Sequence, residues 1–343
     1  MKEKRLSVLA KQAYEEGKRI VAPLMGFPGV ELTGSNIKLA QQNFGEHFKA
    51  VRKLVEMFSP DVVFPLMDLS VEANALGRFT IFPREETATV YEKEKFQFKD
   101  IEKLKAIDIS FDTRLTGYVE TMKLMKLELP SKIIRGAYVT GPFSLAALIT
   151  GAHDAVISIL KNPADFHNLC DFATNIIGEY ARLLITAGAE VICVLEPTAV
   201  MLSPSQFKEF SASYVAHITE TCKHNGVDTI YHVCGNAMHL IDGMVESGIG
   251  GLSLDSRYAG IRLSEVAQRV PNDVAIMGNV SPTVVMTYGK PNDVRREVIE
   301  LLNEMKPYPN YIVSTGCDLP QKAPLTNISV FMKTTRTYDF KQH

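Results

Sequence analysis

Two kinds of segment alternate along the chain. Short apolar runs rich in β-branched residues predict strands, and longer segments with helical spacing separate them. One helical pattern, residues 163–188, begins with Pro163 and ends at Gly188, as helix boundaries favour. The apolar runs predict eight strands: IVAPLM (20–25), VVFPLMD (62–68), IIRGAYVTG (133–141), VICVLEP (191–197), TIYHVCG (229–235), GLSLD (251–255), VAIMGNV (274–280) and YIVSTGC (311–317).

The repeated order of strand and helix predicts parallel strands and an α/β fold, a single (β/α)8 TIM barrel. An open doubly wound sheet would be expected to carry a Gly-rich phosphate loop after its first strand, and GFPGVELTG (26–34) does not match one. The first twenty residues predict an N-terminal amphipathic helix. Residues 70–130 are long for one crossover, which predicts an insertion after the second strand, beside the barrel mouth. We expect one domain over residues 1–343.

Composition and charge exclude several classes of function. Hydrophobic residues make up 46% of the chain, charged residues 22%, and the net charge is -2, as in ordinary soluble globular proteins. A run of Lys and Arg is absent and Trp does not occur, so nothing favours nucleic-acid binding. The longest apolar stretch, residues 143–160, is interrupted by His153 and Asp154, which argues against a membrane span. Five cysteines, an odd number, predict reduced thiols and, without a secretory signal, a cytoplasmic protein.

The barrel prediction directs attention to strand ends, because such enzymes build their sites at the C-terminal ends of the strands. In YHVCGN (231–236), His232 and Cys234 share one face of a strand, while Tyr231 and Val233 face the helices. Cys317 ends the last predicted strand, in STGCDLP. One imidazole and two sulfurs suit zinc and leave a fourth position open, as in catalytic zinc sites.

Each of these residues could also have a purely structural role instead of binding a metal. Cys170, Cys193 and Cys222 are predicted to be small core residues. The HxC pair alone is a weak motif, and Cys317 at another strand end strengthens the metal interpretation. Asp255, at the end of the sixth predicted strand, would complete the ligand set when no substrate is present, or would only cap the next helix.

Three further polar residues are candidates for the chemistry. Glu72, in DLSVEANALG, and Glu196, in LEPT, are candidate catalytic residues that contact a substrate or a proton being moved. For each, a helix cap or an ion pair is an equally compatible role. Asn279, in GNV at the end of the seventh predicted strand, is a candidate for lining the substrate pocket, with a turn role as the alternative.

Five segments, taken in order, resemble the uroporphyrinogen decarboxylase superfamily over nearly the whole chain. They are GAYVTGPFSLAALITG, LEPTAVMLSPSQFKEF, YHVCGNAMHLIDGMVESGIGGLSLD, GNVSPTVVMTYG and STGCDLPQKAPLTNI. The HxC pair with a later Cys resembles the zinc methyltransferase branch, which includes the methylcobamide:coenzyme M methyltransferases of methanogens. The resemblance implies that His232, Cys234 and Cys317 bind zinc. It also puts Asp255 where some relatives have an exchangeable carboxylate.

The resemblance implies a function as well. A methyl group would move between a corrinoid (methylcobalamin) on a partner corrinoid protein and a thiol such as coenzyme M, or from a methyl ether to the corrinoid. The corrinoid would be a co-substrate that is not permanently bound. DFHNLC (165–170) resembles the start of the Asp-x-His-x-x-Gly sequence that holds cobalt in corrinoid proteins, but it lacks the Gly. We therefore predict that His167 is an ordinary helix residue.

Two alternative functions belong to other functional classes. A metal-free decarboxylase of the same superfamily would carry an Arg-rich segment after the first strand, and MGFPGVELTG (25–34) contains no Arg. A barrel that only binds a corrinoid or a metal, without catalysis, is the other.

Overall fold

The structure is a computed structural model that describes residues 5–91 and 95–339. The strands are β1 (Val62–Val63), β2 (Thr80–Ile81), β3 (Thr89–Val90), β4 (Ile134–Thr140), β5 (Val191–Leu195), β6 (Asp228–Val233), β7 (Gly251–Leu254), β8 (Ala275–Val280) and β9 (Tyr311–Thr315). The α-helices are α1 (Leu6–Glu15), α2 (Pro28–Thr33), α3 (Ile37–Gln42), α4 (Phe44–Phe58), α5 (Val71–Ala75), α6 (Ile101–Lys105), α7 (Thr113–Glu128), α8 (Pro142–Thr150), α9 (Ala152–Lys161), α10 (Pro163–Ala187), α11 (Pro204–Phe207), α12 (Ser213–His224), α13 (Ile241–Glu246), α14 (Leu263–Ala267), α15 (Pro291–Glu304) and α16 (Leu325–Thr337).

The main sheet has seven parallel strands in the order β1-β4-β5-β6-β7-β8-β9. Helices connect each strand of this sheet to the next, so the sheet curls as in TIM-barrel-like folds. The predicted α/β class and parallel strands are confirmed. The other two strands, β2 and β3, form a separate antiparallel hairpin.

Proline shortens two of the predicted strands. The first, residues 20–25, contributes one isolated parallel bridge, between Val21 and Val313, instead of a regular strand. Its backbone also accepts a hydrogen bond from Asp61 N at Val21 O, so it lies between β9 and the start of β1. Pro23 has no N–H to continue the ladder, and Pro65 similarly limits the second predicted strand to β1.

The long connection between β1 and β4 holds α5, the β2–β3 hairpin, α6 and α7. A buried network ties α7 to the chain just after β1. Asp68 forms an ion pair with Arg114 and accepts hydrogen bonds from Tyr118 Oη at 2.6 Å and Gln41 Nε2 at 2.7 Å. These contacts fix the position of the connection against the C-terminal end of β1.

The core has two main layers, divided by the alternation of side chains along each strand. On β5, Cys193 belongs to the cluster inside the curled sheet, and Val194 to the cluster between sheet and helices. Tyr231 and Val233 lie on the helix side, as predicted. Helix α1 ends at Glu15, before the end of the segment predicted to be helical, and residues 1–4 of that segment lie outside the described residues. Leu6 N donates to Asp228 Oδ2 at 2.8 Å, so the helix packs near the N-terminal end of β6.

No described helix is, by itself, long and apolar enough to cross a membrane. Helices α8 and α9 reach that length and hydrophobicity only when taken together, and the chain bends by 105° between them.

Candidate metal centre

Three side chains from two distant parts of the chain converge at the C-terminal ends of β6 and β9. His232 Nε2 lies 3.1 Å from Cys234 Sγ and 3.6 Å from Cys317 Sγ. The two sulfurs lie 3.4 Å apart. Within residues 5–91 and 95–339, this is the group of His, Cys, Asp or Glu side chains that could hold a metal ion, with all its ligand atoms within 4.8 Å of one another. We call it the HCC centre.

Glycines bring the two cysteines into place. After Cys234 the chain turns at Gly235, whose φ of 80° is in the left-handed region that favours glycine. Before Cys317, Gly316 passes so close to the neighbouring backbone that an added Cβ would lie 2.6 Å from Ser256 N. Gly316 N also donates to Val280 O, which anchors the approach to β8. A larger residue at position 316 would therefore displace Cys317.

A buried serine orients the imidazole. Ser253 on β7 lies opposite His232 in the strand register, and its Oγ is 2.9 Å from His232 Nδ1. When the ring proton is on Nδ1, Ser253 accepts a hydrogen bond and the lone pair of Nε2 faces the two sulfurs. Histidines that bind metals are commonly held in this way by a second hydrogen-bonding group.

The HCC centre fits zinc in its donor types and in its separations. In a tetrahedral site with ordinary zinc bond lengths, N and S ligands lie about 3.6 Å apart and two S ligands about 3.8 Å apart. The observed distances of 3.1, 3.6 and 3.4 Å are within about half an ångström of these values, and the two that differ are shorter. The hydrogen bond with Cys234 and burial raise the pKa of Cys317 well above its usual range. A cation at the centre would oppose that shift, because it favours the thiolate.

Asp255 lies beside this group without belonging to it. Its Oδ2 accepts a hydrogen bond from Gly235 N at 2.8 Å, and its Oδ1 accepts one from Ser256 N at 2.6 Å. The carboxylate thus braces the turn that carries Cys234.

Glu196 makes the contacts of a helix cap, the alternative that the sequence also allowed. Its carboxylate accepts hydrogen bonds from Phe143 N at 2.9 Å and Ser144 N at 2.8 Å, in the first turn of α8. Ser211 Oγ donates a third, at 3.1 Å. Burial raises the pKa of Glu196 to about 7.

Glu72 ties α5 to the end of β4. Its two oxygens accept hydrogen bonds from Thr140 N at 2.7 Å and Thr140 Oγ1 at 2.8 Å, and burial raises its pKa to about 7.

Asn279 donates through Nδ2 to Asp255 O at 2.8 Å and Ile261 O at 3.2 Å. It borders a cavity of about 280 Å³ whose lining does not include the HCC centre.

Sequence reasoning missed two residues that support the HCC centre. Ser253 had a signal, since it is a polar residue inside the apolar run GLSLD. Asp318 follows Cys317 and accepts hydrogen bonds from Gly26 N at 3.0 Å and Met67 N at 3.3 Å, so it joins three segments of chain. Burial raises the pKa of Asp318 to about 7. The predicted helix residue His167 is confirmed in α10, where it contacts Tyr214 Oη at 2.7 Å.

The family model for uroporphyrinogen decarboxylase (URO-D) matches residues 32–338. The chain belongs to the uroporphyrinogen decarboxylase family. Within this family it is 25% identical over 245 residues to the methylcobamide:CoM methyltransferase MtbA of Methanosarcina acetivorans, covering 71% of this chain and 69% of the relative. It is 26% identical over 285 residues to the uroporphyrinogen decarboxylase of Prochlorococcus marinus strain MIT 9312, covering 80% and 79%.

Solved structures agree on the fold of this family member. A methyltransferase from Methanosarcina mazei superposes with a TM-score of 0.83 at 19% identity, covering 96% of this chain and 98% of the other. A B12-independent methionine synthase from Shewanella sp. W3-18-1 gives a TM-score of 0.60 at 11% identity, covering 92% and 96%. At these identities the likeness concerns the fold alone.

Proposed function

We propose that this chain is a zinc-dependent methyltransferase that moves a methyl group between a corrinoid and a small thiol such as coenzyme M. The observation that carries the proposal is the convergence of His232 Nε2, Cys234 Sγ and Cys317 Sγ within 4.8 Å. The similarity to the methylcobamide:CoM methyltransferase supports the choice of reaction. The corrinoid would be a co-substrate presented by a partner corrinoid protein.

The ligands would be the three members of the HCC centre. A zinc ion there would supply a Lewis acid that lowers the pKa of an entering thiol, so that thiolate would be available at neutral pH. His232 is held in place through Ser253, and the backbone around Cys234 is held through Asp255. Fixed ligands of this kind would hold the thiol sulfur in one position. Orientation of two reactants lowers the barrier of a bimolecular reaction by several kcal/mol.

The bond changes are those of a displacement at carbon. The lone pair of the substrate sulfur forms the new S–C bond while the Co–C bond breaks, and its electron pair remains on cobalt. The same site also suits the opposite half-reaction, in which a reduced corrinoid forms a bond to the methyl carbon of a methyl ether while the C–O bond breaks. The ether oxygen then leaves as an alkoxide, which takes up a proton from water. Direct roles of Glu72 and Glu196 in the reaction, a pocket-lining role of Asn279 and resting-state coordination by Asp255 remain predictions.

We also propose that the chain forms one (β/α)8 barrel domain in which residues 20–25 act as the first strand. Hydrogen bonds on both sides of this segment support the proposal: Ala22 N donates to Val313 O, and Asp61 N donates to Val21 O. The HCC centre then lies at the end of the barrel where such enzymes have their sites.

The runner-up is a metal-free decarboxylase, which the similarity to the Prochlorococcus enzyme favours. Residues 25–34 argue against a substrate with many carboxylates, because Glu31 is the charged residue in this segment and it is acidic. Its carboxylate accepts a hydrogen bond from Gln321 Nε2 at 3.4 Å.

Metal analysis combined with an assay tests the proposal. Purified protein should contain about one zinc per chain. In the presence of a thiol it should also remove the methyl group of methylcobalamin, which is measured from the change in the visible absorbance of the corrinoid. Cys317→Ser should lose both properties, and the control Cys170→Ala, at a buried cysteine of α10, should keep both. Protein without zinc that releases CO2 from uroporphyrinogen, and is indifferent to chelators, would establish the decarboxylase instead.

A further inference from the structure

The phenol of Tyr138 lies inside the curled sheet. Tyr138 is on β4 and belongs to the inner hydrophobic cluster, where its ring stacks on Phe64 with centroids 4.9 Å apart. Its partner in the strand register is Cys193 on β5. The side chain is 7% exposed, so its orientation is fixed by packing.

The hydroxyl of this residue is buried and finds no hydrogen-bond partner within residues 5–91 and 95–339. A buried hydroxyl without a partner costs stability that a phenylalanine would not cost. Its register partner Cys193 is itself buried and carries a free thiol. A tyrosine here therefore points to an acceptor that arrives from outside the chain.

The strand register gives the level of Tyr138 relative to the HCC centre. Thr140, two residues beyond Tyr138, pairs with Leu195, and Leu195 pairs with His232. Thr140 is therefore level with His232 across the sheet, and Tyr138 is the preceding residue of β4 that faces the interior. Successive residues on one face are separated by two rises of roughly 3.3 Å along a strand, which is the separation between Tyr138 and the level of His232. A phenol spans about that distance.

The ionisable groups near the Tyr138 hydroxyl include two members of the HCC centre. Burial raises the pKa of Tyr138 well above its usual range, and the nearby groups that add to this are Asp318, Cys193, Cys317 and Cys234. Two of these belong to the HCC centre. Asp318 already accepts hydrogen bonds from Gly26 N and Met67 N, so its carboxylate is engaged elsewhere.

We propose that Tyr138 Oη donates a hydrogen bond to the sulfur of the small thiol that occupies the HCC centre. This inference rests on the proposed function and assigns a substrate contact within it. The hydrogen bond stabilises the negative charge on sulfur and therefore strengthens thiol binding. It does not increase the nucleophilicity of the sulfur, so its removal affects thiol affinity more than the rate at saturation.

Tyr138→Phe tests the contact, with Tyr231→Phe as the matched control. Tyr231 is also buried, but its Oη is 2.6 Å from Ser211 Oγ on the helix side of the sheet. The Co²⁺-substituted proteins are titrated with 2-mercaptoethanesulfonate, and binding is followed by the visible absorption of the metal. We expect Tyr138→Phe to raise the Kd about tenfold, the size of one hydrogen bond to a charged acceptor, and Tyr231→Phe to leave it unchanged.

Thermal unfolding and steady-state rates complete the test. Tyr138→Phe should unfold at no lower temperature than the wild type, whereas Tyr231→Phe, which loses a hydrogen bond, should unfold earlier. The methyl-transfer rate at saturating thiol should change less than about threefold in Tyr138→Phe, since a hydrogen bond to the sulfur does not increase its nucleophilicity. Tyr138→Met, which also removes the hydroxyl, should weaken thiol binding at least as much.

The outcomes separate this inference from the function on which it rests. If wild-type protein binds metal and thiol, and Tyr138→Phe has the same Kd, the hydrogen bond is absent although the methyltransferase proposal stands. If Tyr138→Phe fails to fold or unfolds earlier than Tyr231→Phe, its hydroxyl has a structural partner and the inference is overturned. Wild-type protein that binds no zinc would overturn both.

Discussion

Ser253 Oγ lies 2.9 Å from His232 Nδ1, across the strand pair that places the two residues opposite each other. The two side chains face the interior of the sheet, and Ser253 is fully buried. The serine is therefore positioned to select the imidazole tautomer that leaves Nε2 free for a metal.

Ser253→Ala should weaken zinc binding without removing a ligand. We expect the zinc Kd to rise about 10-fold to 100-fold, as when other groups that orient a metal-binding histidine are removed. Competition with a chromophoric chelator measures this. Ser281→Ala is the control, because Ser281 is also buried but accepts its hydrogen bond from Val284 N. If both substitutions raised the zinc Kd equally, the weaker binding would reflect the loss of any buried serine and not the contact between Ser253 and His232.

Gly316→Ala should disturb the HCC centre through the backbone. The added methyl group would lie 2.6 Å from Ser256 N, so the segment that carries Cys317 must shift. We expect a loss of about 1–3 kcal/mol in the free energy of unfolding and a lower zinc content. Gly117→Ala is the control, since an added Cβ at this position within α7 meets no neighbouring atom within 4 Å, and it should stabilise the protein by up to about 1 kcal/mol. Urea denaturation with metal analysis distinguishes the two, and unchanged zinc in Gly316→Ala would contradict the argument.

Glu72 should make the protein less stable as the pH rises. Its pKa is raised from 4.5 to about 7 in the folded chain, so between these values the folded state holds a proton that the unfolded state has lost. Stability from this group is complete below about pH 4.5 and is lost as the pH rises to about 7. Protonated Glu72 can donate to Thr140 Oγ1, which in turn reaches Leu69 O at 3.2 Å.

Glu72→Gln mimics the protonated form and should remove this pH dependence. The free energy of unfolding of the variant should be close to that of the wild type at pH 4.5. It should be larger at pH 8 by up to about 3 kcal/mol. Urea denaturation at the two pH values measures the free energy of unfolding of the variant and of the wild type. Glu196 and Asp318 contribute equally to both proteins, so their contributions cancel in the difference between variant and wild type at each pH. Loss of methyl transfer in a stable Glu72→Gln protein would favour a direct role in the reaction.

Asp255→Asn tests whether this carboxylate is a ligand or a brace. Because both of its oxygens accept backbone hydrogen bonds, asparagine leaves one N–H without an acceptor. We expect a loss of about 1 kcal/mol in the free energy of unfolding, with about one zinc per chain retained. Metal analysis and denaturation provide the two readouts. Loss of zinc would instead support coordination by Asp255 in the resting state.

Local pattern was enough to predict the residues that form the HCC centre. The period of two along a strand placed His232 and Cys234 on one face, and the barrel prediction placed Cys317 at the same end. The structure brings these three side chains together. The polar residue in GLSLD would have revealed Ser253 if the register of β6 and β7 had been known.

Other features depend on contacts that no local pattern contains. Whether Glu196 caps α8 depends on how close β5 and α8 lie, because its side chain needs the space left by Gly141. That the Tyr138 hydroxyl has no hydrogen-bond partner among the described residues can be seen only once its neighbours are placed. Pro23 could have warned that residues 20–25 would not form a regular ladder, since proline has no N–H to donate.

The two sulfurs of the HCC centre are separated by 83 positions in sequence. An ion held by both closes a loop of that length, and such a clip lowers the conformational entropy available to the unfolded chain. Because the unfolded chain cannot reproduce the site, zinc bound there would also favour the folded state by mass action. If zinc is bound there, a chelator should make the segment from β6 to β9 easier for a protease to cut, so that metal loading would also set the lifetime of the protein.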